Sequence, residues 1–223
     1  MHSYIAIQNT YEIFEMALFI NDILIDQLSE DKRLTSKLFI PLLDTLCKKN
    51  NVSIADISFC AVNCGPGPFS TLRSIIASVN GLHLATNIPL ISIDGLDATF
   101  LEYYDKNYTN TVVLLHAFNN EIYYLIAHHD KIVSKGYKKI DLFLAEIIQN
   151  FNNQSINFIG NGTTLHHDLI TQIIGDNAII KKNNPSMCSL ETIGRLGVEK
   201  FIHKEKANDY VMPLHLKKHA VEL

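Results

Sequence analysis

Asn63-Cys64-Gly65-Pro66-Gly67-Pro68-Phe69-Ser70-Thr71-Leu72-Arg73 places two glycines and two prolines in four consecutive positions. The segment leaves the apolar run Ile57-Ser58-Phe59-Cys60-Ala61-Val62, which reads as a buried strand. It runs directly into Thr71 to Ala85, whose apolar spacing predicts a helix. Glycine allows positive φ or close approach, and proline freezes φ and removes a donor. The segment is therefore a rigid bend between strand and helix. In α/β proteins such bends, at the carboxyl ends of strands, border binding sites.

Toward the N-terminus, Tyr4–Gln8, Ile13–Ile20 and Ile23–Leu28 read as strands, with Asn21-Asp22 as a hairpin turn lacking the usual glycine. Leu34 to Lys49 has helical spacing. Toward the C-terminus, Pro89 to Ile93 reads as strand and Leu96 to Tyr104 as helix. Beyond the polar segment Tyr103 to Asn110 the order recurs. Thr111–Ala117, Glu121–His128 and Lys131–Ser134 are strands, with Asn119-Asn120 as a turn. Leu142–Phe151 is helix, Ile156–Gly160 strand and Thr163–Ile174 helix. Ser189 to Lys204 closes as a helix capped by Ser189, with Glu191 and Thr192 in its first turn. Two copies of β-β-β-α-β-α predict a duplicated α/β fold with mixed sheets. The expected division is an N-terminal subdomain over 1–102, carrying the glycine-proline loop, and a smaller C-terminal subdomain with a tail over 103–223. This is the arrangement of the actin-like and sugar-kinase-like (ASKHA) ATPases, which hold nucleotide in a cleft between halves; the analogy fixes a fold and no activity.

Composition excludes several functions. The chain of 223 residues is 47% hydrophobic and 19% charged, enough for a sizeable core. Its net charge is −4, and the lysine pairs Lys48-Lys49, Lys138-Lys139, Lys181-Lys182 and Lys217-Lys218 are scattered, so nothing draws the whole molecule to nucleic acid. Cys47, Cys60, Cys64 and Cys188 form no C-x-x-C pair and read as reduced thiols. No signal peptide or membrane-length apolar run is evident, so a cytoplasmic protein is expected, with no membrane partner.

The bend and its surroundings resemble the bacterial TsaB (YeaZ) family. Gly65 to Arg73, then Gly81-Leu82, Ile88-Pro89-Leu90, and Ser92-Ile93-Asp94-Gly95-Leu96-Asp97-Ala98 lie close to that family's G-P-G-S-F-T-G-L-R, G-L, I-P-L and S-x-x-x-L-x-A. The signature loop residues are Gly65, Pro66, Gly67, Phe69, Ser70, Leu72 and Arg73. Ser36-Lys37-Leu38 with Pro41-Leu42-Leu43, Asn120-Glu121-Ile122-Tyr123 and Pro213-Leu214-His215-Leu216 extend the likeness more thinly. The resemblance implies a non-catalytic subunit of the machinery that makes threonylcarbamoyladenosine at adenosine 37 of tRNA. It implies a TsaD-like transferase as heterodimer partner, a TsaE-like P-loop ATPase as third component, self-association when alone, and only indirect contact with tRNA. It implies no cofactor of its own and leaves open a weak ATP or ADP contact at the complex interface.

Departures from the family pattern weaken any nucleotide chemistry. Ile7-Gln8-Asn9-Thr10 stands where the family commonly has I-D-T-S, and His116-Ala117-Phe118 where it has D-A-R. Neither Gln8 nor His116 can organise Mg²⁺ as a carboxylate does. With Asn9, Thr10 and the glycine turn Gly160-Asn161-Gly162, these residues read as a vestigial nucleotide cleft; a strand-to-helix turn needs such glycines in any case. An independent actin-like ATPase or phosphotransferase is therefore disfavoured. A metallopeptidase is also disfavoured, because the single H-x-x-x-H spacing, His215 to His219, lies in the tail. No catalytic residues and no metal ligands are expected.

The helices suggest a partner. Apolar residues cover more than one stripe of both Leu34–Cys47 and Leu72–Ala85, and a helix on a sheet needs only one stripe of about 100°. Leu38, Leu42, Leu46, Leu72, Ile75, Val79 and Leu82 are the expected partner-binding faces. The bland alternative is that neighbouring elements of the same chain cover both faces.

Overall fold

The computed structural model describes residues 2–151, 153–203, 210–214 and 216. Two compact units divide the chain, one from Met1–Ala98 and Ser189–Leu214, the other from Thr99–Cys188 and His215–Leu223.

In the first unit, β1 (Ser3–Asn9), β2 (Ile13–Ile20) and β3 (Ile23–Asp31) form an antiparallel meander. Asn21 and Asp22 take φ of 48° and 66°, which closes the β2–β3 hairpin without glycine. β4 (Ile57–Asn63) and β5 (Leu90–Ile93) add in parallel, giving the order β3-β2-β1-β4-β5. Two helices, α1 (Thr35–Lys49) and α2 (Phe69–Thr86), pack against each other and share one core with Ile5, Ile7, Met16, Cys60 and Val62. The opposite face of the sheet carries Tyr4, Phe19 and Phe59, stacked at 5.0 and 4.7 Å. α7 (Leu190–Ile202) packs on that face. A Cβ on Gly197 would stand 2.5 Å from Ala61 Cβ, so only glycine lets this helix lie so close.

The second unit repeats the plan. β6 (Asn110–His116), β7 (Glu121–His128) and β8 (Lys131–Lys139) form the meander, and β9 (Ile156–Ile159) and β10 (Ala178–Ile180) pair in parallel, in the order β10-β9-β6-β7-β8. Its core joins Val112, Leu114 and Phe158 to Phe143 and Ile147 of α4 (Ile140–Asn150) and Ile170 of α6 (His167–Ile174). α3 (Gly95–Tyr103) begins in the first unit and ends in the second.

The duplicated α/β reading with mixed sheets holds, with four differences. α7, grouped by sequence with 103–223, belongs to the first unit because its glycines and apolar face fit the aromatic stack of the first sheet. The helix expected over Thr163–Ile174 is two, α5 (Asn161–Leu165) and α6, separated by His166. β8 runs five residues past Ser134, to Lys139, and β10 is additional. Lys204, His215 and Lys217 to His219 lie outside the described residues. No helix among the described residues is long and apolar enough to cross a membrane.

Candidate functional site

The glycine-proline bend is clamped from three directions. Gly65 takes φ +101° across a cis peptide to Pro66. Asn63 Oδ1 accepts from the Gly65 amide at 2.9 Å, and the Gly65 carbonyl accepts from the Gly95 amide at 2.7 Å. The Cys64 amide donates to Ile93 O at 2.9 Å, and Cys64 O accepts from the Leu214 amide at 2.8 Å. The tail is clasped once more by Asn80 of α2. Its amide donates to Val211 O at 3.0 Å and its carbonyl accepts from Val211 N at 2.8 Å. Val211 is buried in the first core, so the Pro213-Leu214 motif returns to the bend it resembles the family through. At the helix start, Arg73 lies over the Phe69 ring at 4.0 Å, both exposed.

The three cleft residues of the first unit are structural ties. Gln8 is fully buried on β1; its Nε2 donates to Glu15 Oε1 at 2.7 Å, and its Oε1 accepts from Asn63 at 3.1 Å. Glu15 Oε2 accepts from Gln27 at 3.0 Å. A polar chain thus runs Gln27–Glu15–Gln8–Asn63–Gly65 from the edge strand to the bend. The carboxylate absent at position 8 stands one strand away, at Glu15, directly across the β1–β2 pairing. Burial raises the Glu15 pKa, the amides of Gln8 and Gln27 oppose that, and nearby Glu191 adds to it. Asn9 Nδ2 donates to Thr71 O at 2.9 Å, tying β1 to the first turn of α2. Thr10 Oγ1 accepts from the Ile13 amide at 3.0 Å and closes the β1–β2 turn.

In the second unit, Gly160 takes φ +98°, and a Cβ there would stand 2.3 Å from Leu114 O. Gly162 packs against the same carbonyl. Asn161 Oδ1 accepts from the His116 amide at 2.9 Å, and Asn184 donates to Gly160 O at 2.9 Å. The turn is explained by close packing on β6. Strand register also sets His116 level with Asn9 rather than Gln8: His116 pairs with the second residue of β7, Ile122, as Asn9 pairs with the second residue of β2, Phe14. Leu115 is the counterpart of Gln8. Burial lowers the His116 pKa, and burial together with His116 lowers that of His166. No local pattern announced this histidine pair, fifty positions apart in sequence.

The expected partner faces need correction. Leu46, Ile75 and Val79 are fully buried, and Leu72 and Leu82 nearly so, inside the chain's own core. Leu38 and Leu42 are half-buried. The second apolar surface of each helix is consumed by the other helix. Residues outside the expected set are exposed instead. On α2 they are Phe69, Arg73, Ala77, Gly81 and Ala85 at a constant spacing of four, with Leu84 at 84% exposure. Ile40 of α1 is 58% exposed.

All four cysteines are buried and unbridged; burial pushes Cys60 up to about 12 and Cys64 up to about 11, which removes them as nucleophiles. Among the described residues no three histidine, cysteine, aspartate or glutamate side chains gather as a metal site.

Two like-ordered mixed sheets with helices make a duplicated α/β fold of the actin-like, sugar-kinase-like kind. A Pseudomonas aeruginosa structure described as similar to peptidase YeaZ superposes with a TM-score of 0.77 at 16% identity, covering 97% of this chain and 100% of that one. The ethanolamine utilization protein EutJ from Carboxydothermus hydrogenoformans shares the fold at TM-score 0.51 and 9% identity, over 87% of this chain and 89% of its own. The model of the family TsaD, tRNA N6-adenosine threonylcarbamoyltransferase, matches residues 29–220. The chain belongs to this family, and its likeness to the TsaB (YeaZ) members holds. The tRNA threonylcarbamoyladenosine biosynthesis protein TsaB of Buchnera aphidicola (subsp. Acyrthosiphon pisum) is 19% identical over 54% of this chain. The chain spans about half that relative's length, 55%.

Proposed function

We infer that the chain is a non-catalytic subunit in the formation of threonylcarbamoyladenosine in tRNA, binding a TsaD-like transferase through the exposed stripe of α2. The observation that carries this reading is the stripe itself. Phe69, Ala77, Gly81 and Leu84 face solvent on a helix whose other sides are already satisfied by the sheet and α1. Small residues at a spacing of four let a second helix approach closely, and exposed apolar ones gain from being covered. Family membership supports the choice of partner, and the amide in place of a carboxylate at Gln8 supports a non-catalytic role. The subunit carries no cofactor of its own, acts in the cytoplasm, and meets tRNA and a TsaE-like ATPase through the assembled complex.

Size-exclusion chromatography of the chain mixed with its cognate TsaD tests this. Co-elution at micromolar concentration is expected. Ala77→Glu with Gly81→Arg abolishes it while leaving thermal unfolding nearly unchanged, because a Cβ on Gly81 meets nothing within 4 Å. Separate elution of the unmodified chains defeats the reading. ATP turnover by the purified chain alone would favour the phosphotransferase alternative.

A further inference from the structure

On the α7 side of the first sheet, between that helix and the β2–β3 hairpin, lies a groove of about 390 Å³. That volume falls within the range of small-molecule sites, roughly 300–1,000 Å³. Its floor is apolar, made of the Tyr4 and Phe19 rings, with Leu24 and Val198 beside them. Its rim is acidic. Asp22 stands on the hairpin wall, and Glu191 and Glu199 stand one turn either side of Arg195 on the helix wall. Arg195 is engaged by Glu199 at 2.8 Å. Asp22 lies 3.1 Å from a His2 ring nitrogen. Glu191 forms no ion pair among the described residues and lines the groove. Three carboxylates therefore share one guanidinium, and the local field favours a positive ligand.

We propose that this groove binds a small organic cation with an apolar body, a primary amine or guanidinium on an aryl or alkyl frame. The body covers Tyr4, Phe19 and Val198, and the cationic head meets Glu191 and Asp22. A groove of this volume takes one compact body rather than an extended chain. No part of it draws on the exposed stripe of α2, so the site stands apart from the proposed partner surface.

Calorimetric titration of the full chain with 4-phenylbutylamine, 4-phenylbutan-1-ol and 4-phenylbutanoate tests the assignment. The amine binds about tenfold more tightly than the alcohol, since partly desolvated charge and ring contacts are worth that much. The carboxylate binds more weakly still. Glu191→Gln weakens the amine about threefold, the scale of one solvent-exposed charge pair. Val198→Trp fills the floor and removes binding of the amine and the alcohol alike. Circular dichroism confirms that both variants fold. Equal affinity for amine and alcohol overturns the proposal, as does amine binding indifferent to both substitutions, or no binding at millimolar concentration. An N-acetylated Lys-Phe-Lys amide that binds more tightly than the amine turns the groove into a peptide dock and overturns the small-molecule assignment.

Discussion

Tyr4 of β1 lies beside Phe59 of β4 in the first sheet, and Thr111 of β6 lies beside Asn157 of β9 in the second. By strand order and register these are equivalent positions, and all four residues are buried. The first pair stacks at 4.7 Å and is continued by Phe201 of α7, 4.7 Å from Phe59, and the glycines of that helix fit the rings. In the second pair, Thr111 Oγ1 and both side-chain polar atoms of Asn157 find no hydrogen-bond partner among the described residues. One topology thus tolerates opposite fillings. Backbone pairing sets the strand order in both units, while side chains decide whether that face stabilises the unit or costs it free energy.

The largest way to break the comparison is Phe59→Ala. It removes the centre of the stack and leaves a cavity under α7, a loss of about 3–5 kcal/mol by the usual cost of such truncations. Denaturant unfolding measures it; a loss below about 1 kcal/mol would mean the stack does not hold α7. The mirror experiment is Thr111→Val with Asn157→Val. Removing buried groups that find no partner among the described residues is expected to raise stability by about 1–3 kcal/mol, helped by the strand preference of valine. A loss instead would show that the polar pair is satisfied by something bound in the working protein.

Element order was readable from sequence because each strand and helix carries its own periodicity, and the Asn21-Asp22 turn because those side chains tolerate positive φ. The destination of α7 was not, since a helix sequence gives its apolar stripe but not which sheet receives it. The same limit explains the partner faces: counting apolar residues around α1 and α2 reveals two burial surfaces, and Val79 shows that the second lies inside the chain. β10 is three half-buried residues, too short to display alternation. Glu15 was visible in principle as a lone acid in the apolar run Ile13–Ile20, but its link to Gln8 needed the pairing register.

That link supplies the smallest test of the comparison. The residue of the second unit equivalent to Glu15 is Tyr123, opposite Leu115, so a buried carboxylate at this place belongs to the first unit alone. Burial raises the Glu15 pKa in the folded state above its unfolded value. The folded protein then binds more protons than the unfolded chain between those two values, and stability falls as pH rises through that window. The contribution is complete below the ordinary glutamate value, about 4.5, and is lost as pH climbs past the raised value. Glu15→Gln deletes the titration. Its stability, followed by urea midpoint from pH 4 toward 7, is expected to decline less steeply than that of the parent. A constant offset between the two reports the hydrogen bonds from Gln8 and Gln27 that an amide satisfies less well. Only the difference in slope reports the buried charge, and parallel curves would place the proton-linked cost of this fold elsewhere.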